Sequence, residues 1–493
     1  MSNLSDLLPT GGGQNAVDFV ASGTLGSGQT VILNNDGTVS AVANTTTTQA
    51  AGAPVVNASS YSFIISSAYA INAQRVVVIY RDNGNANYAT YVLGTVSGTS
   101  ISFGSPVVFS SENIGDLRCV YDPNAEKVVI TYTNYSNSQY GTAVVGAVSS
   151  TSISFGTPVV FESAATTGNA TTYDTTTQQI IIAYSGSAGN SLYGTAVVGA
   201  VSGTSISFGT PVVFENASSS NISIAYDSAN GKVFIAYRDN GVAPSAGTAI
   251  IGTVSGTSIS FGTPVVFVTD FNYTLSVYDS AAQKIVVVYT TNSSGSLAKV
   301  GTITGTSVAF GSAIALPNTN FSYNTFGLEN AAIVYDSNAS KIVITAPDGN
   351  DGQKGKLTVG TVTGSSISFG SVVTFETGGT NYYGTSFDSI LNKVVINYSD
   401  AGNSGYGTSV VFQNDSVDTN LTASNFIGIT AEAIANTATG PVNVLGGINE
   451  AQSGLTIGSD YYAQADGSIA TTVSDVKIGQ AISATTINMM DLT

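Results

Sequence analysis

The chain has 493 residues, of which 9% are charged, and its 30 acidic and 13 basic residues give a formal net charge of −17. This balance argues against a nucleic-acid partner, because neutralising phosphates requires clustered Lys and Arg. The sequence contains no histidine, which excludes Ser-His-Asp and Cys-His catalytic arrangements and imidazole metal sites.

The first segment of the chain, residues 1–8, has neither a basic start nor an apolar core of signal-peptide length. No later run is long and apolar enough for a membrane span. We therefore expect a protein that is synthesised in a cytoplasm without a signal peptide and is not inserted into a membrane.

A short pattern near the start of the chain recurs near its end. Residues 25–39 align without gaps on residues 455–469, an offset of 430, and both read as a strand, an Asp-Gly turn and a strand. The simplest interpretation is one small β-rich attachment module formed by both termini, with residues 1–44 and 420–493 as its two halves. Residues 45–419 would then be inserted into it. A coincidence between two short hairpins is the alternative.

Two motifs recur in fixed phase through the inserted segment. One is a variant of Ile-Ser-Phe-Gly, with spacings of 52, 53, 53, 49 and 59 residues, and the other is an Asp that follows an aromatic residue. The repeated aromatic and acidic residues are Phe103, Phe155, Phe208, Phe261, Phe310 and Phe369, and Asp122, Asp174, Asp227, Asp279, Asp336 and Asp388. Repeats of this length built from short strands are typical of a β-propeller.

One repeat shows four predicted strands, at 222–225, 232–237, 247–254 and 258–267, because these runs are rich in β-branched and aromatic residues and are separated by turn residues. The repeated Phe is expected to pack between blades. The repeats predict seven blades, with six or eight as the range. The last repeat lacks its fourth strand, and the segment near 52–56 resembles the missing piece, so we expect it to close the last blade.

Catalysis has little support in the sequence. Only a carboxylate mechanism remains without histidine, and an Asp that occurs once in each repeat is better explained by a turn than by chemistry. Asp348-Gly349-Asn350-Asp351-Gly352 is the nearest approach to a calcium loop, and it does not match the usual pattern. We therefore predict a protein that is not an enzyme and has no catalytic residue, metal site or cofactor.

The repeats differ most between the second and third strand of each blade. These loops are rich in Tyr, Asn, Ser and Gly, which form adaptable recognition surfaces. The candidate binding residues there are Tyr88, Tyr135, Tyr140, Tyr193, Tyr406, Arg81 and Arg238. Solvated turns without a ligand are the alternative interpretation.

The terminal segments resemble virion structural proteins of tailed bacteriophages, marine phages in particular. The resemblance lies in NAVDFVASGTL (15–25) and GQTVILNNDGTV (28–39), and near the end in GLTIG (454–458), YYAQADG (461–467) and GQAISAT (479–485). The repeats also resemble those of such proteins, which are often tail-fibre-like components. No catalytic residue is implied by the resemblance.

Together these features predict a phage virion structural protein, an appendage such as a tail fibre or a head or tail decoration, that displays a propeller on the virion surface for attachment to host glycans or proteins. Its expected partners are other virion proteins and further copies of itself, for example in a trimer, but no nucleic acid. Two alternatives remain open, a carboxylate-dependent glycan depolymerase and a purely structural cement or adaptor protein.

Overall fold

The computed structural model describes residues 15–187, 192–291, 295–317 and 330–490. Residues 1–8, which were considered above as a signal peptide, lie outside the described residues. The described residues are almost entirely β-strands in antiparallel sheets, which confirms the predicted all-β class. Within these ranges no helix has the length and apolar character needed to cross a membrane. The chain forms two compact units, residues 49–414 and residues 1–48 with 415–493.

The strands are numbered in chain order. The first four belong to the terminal unit and are β1 (Ala16–Val20), β2 (Thr30–Leu33), β3 (Val39–Ala41) and β4 (Asn44–Thr47). The strands of the 49–414 unit are β5 (Ala50–Ala51), β6 (Val55–Ala70), β7 (Arg75–Asp82), β8 (Tyr88–Ser97), β9 (Ser100–Phe103), β10 (Val107–Ser110), β11 (Ile114–Asp122), β12 (Lys127–Asn134), β13 (Tyr140–Val148), β14 (Ile153–Phe155), β15 (Val159–Asp174), β16 (Gln179–Gly186), β17 (Tyr193–Ser202), β18 (Ser205–Phe208), β19 (Val212–Asp227), β20 (Lys232–Asp239), β21 (Ala246–Ser255), β22 (Ser258–Phe261), β23 (Val265–Val268), β24 (Phe271–Asp279), β25 (Lys284–Thr291), β26 (Gly295–Thr304), β27 (Ser307–Phe310), β28 (Ile314–Ala315), β29 (Ala332–Asp336), β30 (Lys341–Asp348), β31 (Lys354–Thr363), β32 (Ser366–Phe369), β33 (Val373–Asp388), β34 (Lys393–Asp400) and β35 (Tyr406–Gln413). The remaining strands of the terminal unit are β36 (Ser416–Thr419), β37 (Phe426–Thr430), β38 (Thr439–Val444), β39 (Ile448–Asn449), β40 (Asp460–Ala463), β41 (Ile469–Ala470), β42 (Lys477–Ala481) and β43 (Ile487–Asn488).

One blade of the 49–414 unit consists of the second half of β19, then β20, β21 and an outermost strand, in antiparallel order. The outermost strand is divided into β22 and β23, which both pair with β21. The predicted strand 258–267 is therefore interrupted, since Pro264 has no N–H for a ladder. The predicted strand 222–225 is part of a longer one, because the first half of β19 pairs with the preceding blade without an intervening turn.

In the part of the chain that the structure describes, the ladders form seven such groups, here called blades 1 to 7 along the chain from the one that begins in β6. Neighbouring inner strands lie side by side, and the inner strand of blade 7, β33, lies beside that of blade 1, β6. The blades therefore surround a central channel, which is the arrangement of a β-propeller. Blade 7 receives its outermost strand from the start of the unit, where Val55 and Val56 pair with Ser409 and Thr408.

The repeated Asp forms the turn between the first and second strand of a blade. Asp227 Oδ1 accepts hydrogen bonds from the backbone N–H groups of Ala229 and Asn230, at 3.0 and 3.1 Å, and Asp122 and Asp174 do the same in their blades. Asp227 is only 1% exposed. These carboxylates hold turns, as an Asx-turn residue does.

The repeated Phe packs between blades, as predicted. The ring of Phe208 in blade 3 contacts that of Phe161 on the outer strand of blade 2, with ring centroids 5.8 Å apart. In the next pair of blades, the ring centroids of Phe261 and Phe214 are 5.6 Å apart. In four of the six repeats, at Gly156, Gly209, Gly262 and Gly311, the Gly after the repeated Phe lies against a backbone carbonyl of the next blade. A Cβ on Gly209 would lie 1.9 Å from Thr257 O, so only Gly allows this approach.

The terminal unit contains two five-stranded sheets with the same strand arrangement. Their strand orders are β1-β38-β37-β2-β3 and β39-β43-β42-β40-β41. In the first sheet, Val31 pairs with Gly428 directly before a register shift in the ladder. In the second sheet, Tyr461 pairs with Gly479 directly before an equivalent shift. These pairs are related by offsets of 430 and 51 residues, so the recurrence at 25–39 is half of a duplicated sheet.

The propeller is inserted into one copy of this duplicated sheet. The connection from β41 to β42 in the second copy is the six-residue segment 471–476, and the equivalent connection in the first copy, from β3 to β37, contains residues 49–414. The predicted boundaries at 44/45 and 419/420 differ from the observed ones at 48/49 and 414/415. The reason is that β4 and β36 pair with each other as a ribbon of the terminal unit.

Candidate functional site

The face of the propeller that carries the connections between second and third strands is called the loop face, and it includes residues 82–88, 134–140 and 400–406. The crossovers between blades lie on the same face, because strand direction alternates within a blade. The opposite face, with the Asp turns described above, is the turn face. All seven predicted binding residues lie on loops or strand ends of the loop face.

Four of the predicted tyrosines occupy one equivalent position. Tyr88, Tyr140, Tyr193 and Tyr406 each begin the third strand of a blade, and each is half-buried. Their blades are 1, 2, 3 and 7, which are neighbours in the closed ring. In the remaining blades this position holds Ala246, Gly295 and Lys354. The tyrosines therefore form an arc on one side of the loop face.

The loops before these tyrosines are held by side chains at the end of the second strand. Asp82 Oδ1 accepts from Gly84 N at 3.0 Å, Asn134 Oδ1 accepts from Ser136 N at 3.0 Å, and Asp400 Oδ1 accepts from Asn403 N at 3.1 Å. Tyr135 lies within one of these loops, is 42% exposed, and lies against Gly115 of the inner strand. The polar loop residues thus fix the backbone that presents the aromatic rings.

Arg81 lies in an aromatic cluster at the contact between blades 7 and 1, here called the 7/1 seam. Its guanidinium carbon is 5.3 Å from the ring centroid of Phe63. That ring is 4.1 Å from the ring of Tyr382 in blade 7 and 6.4 Å from that of Tyr61, measured between centroids. Tyr61 is 37% exposed, Phe63 is half-buried and Tyr382 is 3% exposed, so the cluster reaches from the interior to the surface.

The 7/1 seam is built by two loops and the crossover between them. Tyr61 pairs with Tyr406, and its carbonyl accepts from Asn83 N of the blade 1 loop at 3.0 Å. Ser62 N donates to Gly405 O of the blade 7 loop at 3.0 Å. The ring of Tyr61 covers Gly405, at which a Cβ would lie 2.0 Å from the ring. Ring closure therefore brings Tyr406, Tyr61 and the Arg81 cluster to one place.

Arg238 has the same strand position in blade 4 as Arg81 has in blade 1, but its surroundings differ. Arg81 pairs with Phe63, whereas Arg238 pairs with Ser220, so the aromatic ring is replaced by a hydroxyl. The two arginines lie three blades apart. The structure therefore brings Arg81 together with aromatic residues and leaves Arg238 outside this cluster.

A Tyr–Glu pair joins three pairs of neighbouring blades, and it is missing at the 7/1 seam as well as where Ser110 and Val268 occupy the ladder position of the glutamate. The hydroxyls of Tyr184, Tyr237 and Tyr398 donate to Glu162, Glu215 and Glu376 of the preceding crossovers, at 3.0, 3.0 and 2.9 Å. The ladder position of these glutamates is occupied by Ala58 at the 7/1 seam. The equivalent tyrosine there is Tyr80, which is 1% exposed.

Blade 1 carries several buried polar atoms with no hydrogen-bond partner among the described residues. They are the hydroxyl of Tyr80, Nε of Arg81 and Oδ1 of Asn87, and the hydroxyl of Tyr132 in blade 2 and Nε of Arg238 in blade 4 are further ones. Burial, followed by the charge of Asp82, raises the pKa of Tyr80, which keeps this hydroxyl a donor. Buried polar groups in folded proteins almost always have a hydrogen-bond partner. We therefore expect each of these atoms to bind a water molecule or a ligand.

The carboxylates of the loop face have partners within the protein. Glu162 and Glu215 each accept, besides the tyrosine hydroxyl, the backbone N–H two residues later. Asp348 and Asp351, in the segment that resembles a calcium loop, are bound by Lys356 Nζ at 2.6 and 2.9 Å. Among the described residues no group of three or more acidic or Cys side chains could hold a metal ion.

Sequence reasoning did not identify Tyr61, Phe63 and Tyr382 as part of a site. These residues lie outside the repeated motifs, and Phe63 and Tyr382 are 319 positions apart in the sequence. A signal was nevertheless present. The repeats at 159–162, 212–215 and 373–376 contain Glu after Phe, whereas the segment at 55–58 reads Val-Val-Asn-Ala.

Solved structures that match the chain include two lectins. The BP39L lectin of Burkholderia pseudomallei matches with a TM-score of 0.53 at 10% sequence identity, over 72% of this chain and 98% of its own. The Aleuria aurantia lectin, solved with alpha-methyl-L-fucoside, matches with a TM-score of 0.41 at 13% identity, over 64% and 96% of the two chains. A leech intramolecular trans-sialidase matches with a TM-score of 0.40 at 10% identity, over 74% and 68%.

No protein-family model matches the sequence. No curated protein has a matching sequence either. At 10% identity, the first of the structural matches shows a shared fold alone.

Proposed function

We propose that this protein is a carbohydrate-binding propeller without catalytic activity, and that it binds glycans on the loop face at the 7/1 seam. The observation that carries the proposal is the combination of the exposed ring of Tyr61 and the half-buried ring of Phe63 with unpartnered buried polar atoms at this seam. Sugar rings have apolar faces that pack on aromatic side chains and hydroxyls that bind donors such as an arginine fork. Tyr61 and Phe63 supply the rings, and Arg81 supplies the donors.

The shared fold supports this proposal. The Burkholderia pseudomallei protein with which the chain shares its fold is a lectin, so a propeller of this kind is compatible with glycan binding. The arc formed by Tyr406, Tyr88, Tyr140 and Tyr193 would extend the contact surface from the 7/1 seam for a glycan of several sugar units.

The setting that we propose is the surface of a phage virion, where the terminal unit joins the particle or a neighbouring copy and the propeller is displayed. This part rests on the resemblance of the terminal segments to phage structural proteins. Antibody labelling of purified particles in electron micrographs tests it. Label on tails or capsids is expected, and particles that lack the protein would contradict the virion setting without affecting glycan binding.

The experiment that tests glycan binding is a microbial-glycan array with three proteins, the wild type, Arg81→Gln and Arg238→Gln. The two variants remove the same charge from equivalent strand positions, and only Arg81 contacts the aromatic cluster. Wild type and Arg238→Gln are expected to bind the same glycans, and Arg81→Gln is expected to lose at least about tenfold in affinity, the value of a charged hydrogen bond. Equal binding by both variants would refute the assignment.

A glycan depolymerase is a second candidate, and one feature favours it. Burial and the nearby charge of Glu376 raise the pKa of Asp400 above the ordinary value of an aspartate, which is the pattern of a general acid beside a second carboxylate. The same two side chains also accept backbone N–H groups of their own loops. Release of reducing ends from a polysaccharide that the array identifies, abolished by Asp400→Asn, would establish this activity in place of simple binding.

A further inference from the structure

The central channel of the propeller contains a cavity of about 230 Å³ that is separate from the 7/1 seam. Residues from the inner strands of all seven described blades line it. A cavity of roughly 150 Å³ accommodates a benzene-sized molecule, so this one has space for a ligand of up to about one sugar ring.

Arg118 is the one charged residue among the described residues that line this cavity. It lies four residues before the end of its inner strand, a position that recurs in every blade, and there Arg118 pairs with Thr131. In the other six blades the equivalent residues are uncharged, namely Ser66, Ala170, Ser223, Leu275, Ala332 and Gly384. Five of these six side chains are small, which leaves room beside the guanidinium.

The guanidinium of Arg118 has donors available in the channel. Nη1 donates to Leu117 O at 2.9 Å, and in the described part of the chain the group forms no ion pair and no other hydrogen bond. No Asp or Glu lines the cavity. Placing an arginine in a confined space costs desolvation free energy unless a partner of opposite charge offsets it. The planar guanidinium matches a carboxylate through two parallel hydrogen bonds.

Hydroxyl groups surround the same space. Thr171, Thr274, Ser276 and Thr385 line the cavity, and Ser223 donates to Ser276 at 2.9 Å. Hydroxyls both donate and accept, so they can bind the remaining oxygens of a small polar anion. The cavity therefore offers one cationic fork, several hydroxyls and no competing acid.

We propose that the central channel binds a small organic carboxylate, up to the size of an acidic monosaccharide, with the carboxylate on the guanidinium of Arg118. This site is independent of the glycan site at the 7/1 seam, which involves Arg81. The chain as a whole carries a net charge of −17, so the channel is a local exception to its acidic character.

Isothermal titration calorimetry of the full chain at low ionic strength tests this site, with sodium glucuronate and sodium acetate as probes and glucose as the neutral control. Both carboxylates are expected to bind, and glucose is expected to bind at least about tenfold more weakly than glucuronate. Arg118→Gln should lower the affinity for glucuronate at least about tenfold, and Arg118→Lys should have an intermediate effect because it keeps the charge without the fork.

Arg75→Gln is the matched control, since Arg75 is a surface residue that donates to backbone carbonyls, including Ser150 O at 2.8 Å. It should bind glucuronate as the wild type does, and so should Arg81→Gln, which separates this site from the 7/1 seam. If Arg118→Gln fails to fold, the Nε–H NMR signal of Arg118 in the wild type gives the answer. A shift of that signal on addition of glucuronate supports the proposal. No binding of either carboxylate, or equal binding by a folded Arg118→Gln, overturns it.

Discussion

The hydroxyl of Tyr237 donates a hydrogen bond to Glu215 Oε2 at 3.0 Å, although the two residues belong to neighbouring blades. The pairs Tyr184–Glu162 and Tyr398–Glu376 repeat this contact. Burial first, and then the negative glutamate, raise the pKa of all three tyrosines above the ordinary value of 10.0. The contacts that join the blades therefore depend on protonated phenols.

The first prediction concerns stability at alkaline pH. Because these tyrosine pKa values are higher in the folded than in the unfolded chain, their stabilising contribution is complete below pH about 10 and is lost as the pH rises towards the folded values. Tyr173 and Tyr278, whose pKa values burial raises to about 12, add to the effect. We expect tyrosinate absorbance and loss of the circular dichroism signal to appear together in one cooperative transition above pH 10.

The alkaline titration is easily followed because the chain has 25 Tyr and no Trp. Gradual ionisation of the tyrosines near pH 10, with an unchanged circular dichroism spectrum up to pH 12, would contradict the prediction. Glu215→Gln provides a variant with one charge removed. It should shift the transition of the whole chain slightly upwards in pH, since the glutamate charge opposes ionisation of Tyr237 only in the folded state.

The second prediction concerns the close approach between blades. Gly209→Ala should lower the free energy of unfolding by about 2–3 kcal/mol, because the added Cβ would lie 1.9 Å from Thr257 O and the backbone must shift. Gly104→Ala is the matched control, since Gly104 follows the repeated Phe in blade 1 and has no atom within 4 Å of an added Cβ. Urea denaturation compares the two. Equal effects of the two substitutions would disprove the proposed role of this glycine.

The third prediction concerns the terminal unit. Thr47 pairs with Ser416 at the point where the propeller is inserted, so replacing residues 48–415 with Asn-Gly should close β4 and β36 as a hairpin. We expect the shortened chain to fold, because the second copy of the sheet makes the equivalent connection with residues 471–476 alone. A cooperative thermal transition and dispersed NMR signals check this. An unfolded product would mean that the terminal unit needs the propeller.

The fourth prediction concerns Ala58, which occupies at the 7/1 seam the ladder position that holds Glu in three other crossovers. Ala58→Glu would place a carboxylate where three other crossovers have one, within reach of the unpartnered hydroxyl of Tyr80. We expect the variant to fold with a melting temperature no lower than that of the wild type and to lose glycan binding, since the new side chain pairs with the buried donor. Unchanged binding on the array would show that Tyr80 and Ala58 are not part of the site.

The repeats predicted much of the fold because each motif has a local physical role. An Asp that closes a turn and a Gly that approaches a carbonyl recur in most blades, so Asp227 and Gly209 could be recognised from spacing alone. Only half of the duplicated sheet could be recognised in the sequence, namely the recurrence at 25–39 and 455–469. Its second half shares little beyond Ile-Gly at 427–428 and 478–479, since strand pairing uses backbone atoms that any residue supplies.

The candidate site was predicted less completely. Tyr88 and Tyr406 could be found because they lie in variable loops, but the cluster of Phe63 with Tyr382 exists only because the ring closes. Contacts of this kind depend on tertiary structure and leave no pattern in the local sequence. Ala58, in place of the Glu that three repeats have, was a local sign that this crossover differs from those three.

A crystal structure of the full chain soaked with the oligosaccharide that binds best on the array tests the central claim most directly. The account predicts density for a sugar ring against Tyr61 and Phe63, with a hydroxyl of the sugar within hydrogen-bond distance of Arg81. Density for the sugar only on the turn face, or only elsewhere on the loop face, would contradict the assignment of the 7/1 seam as the glycan site.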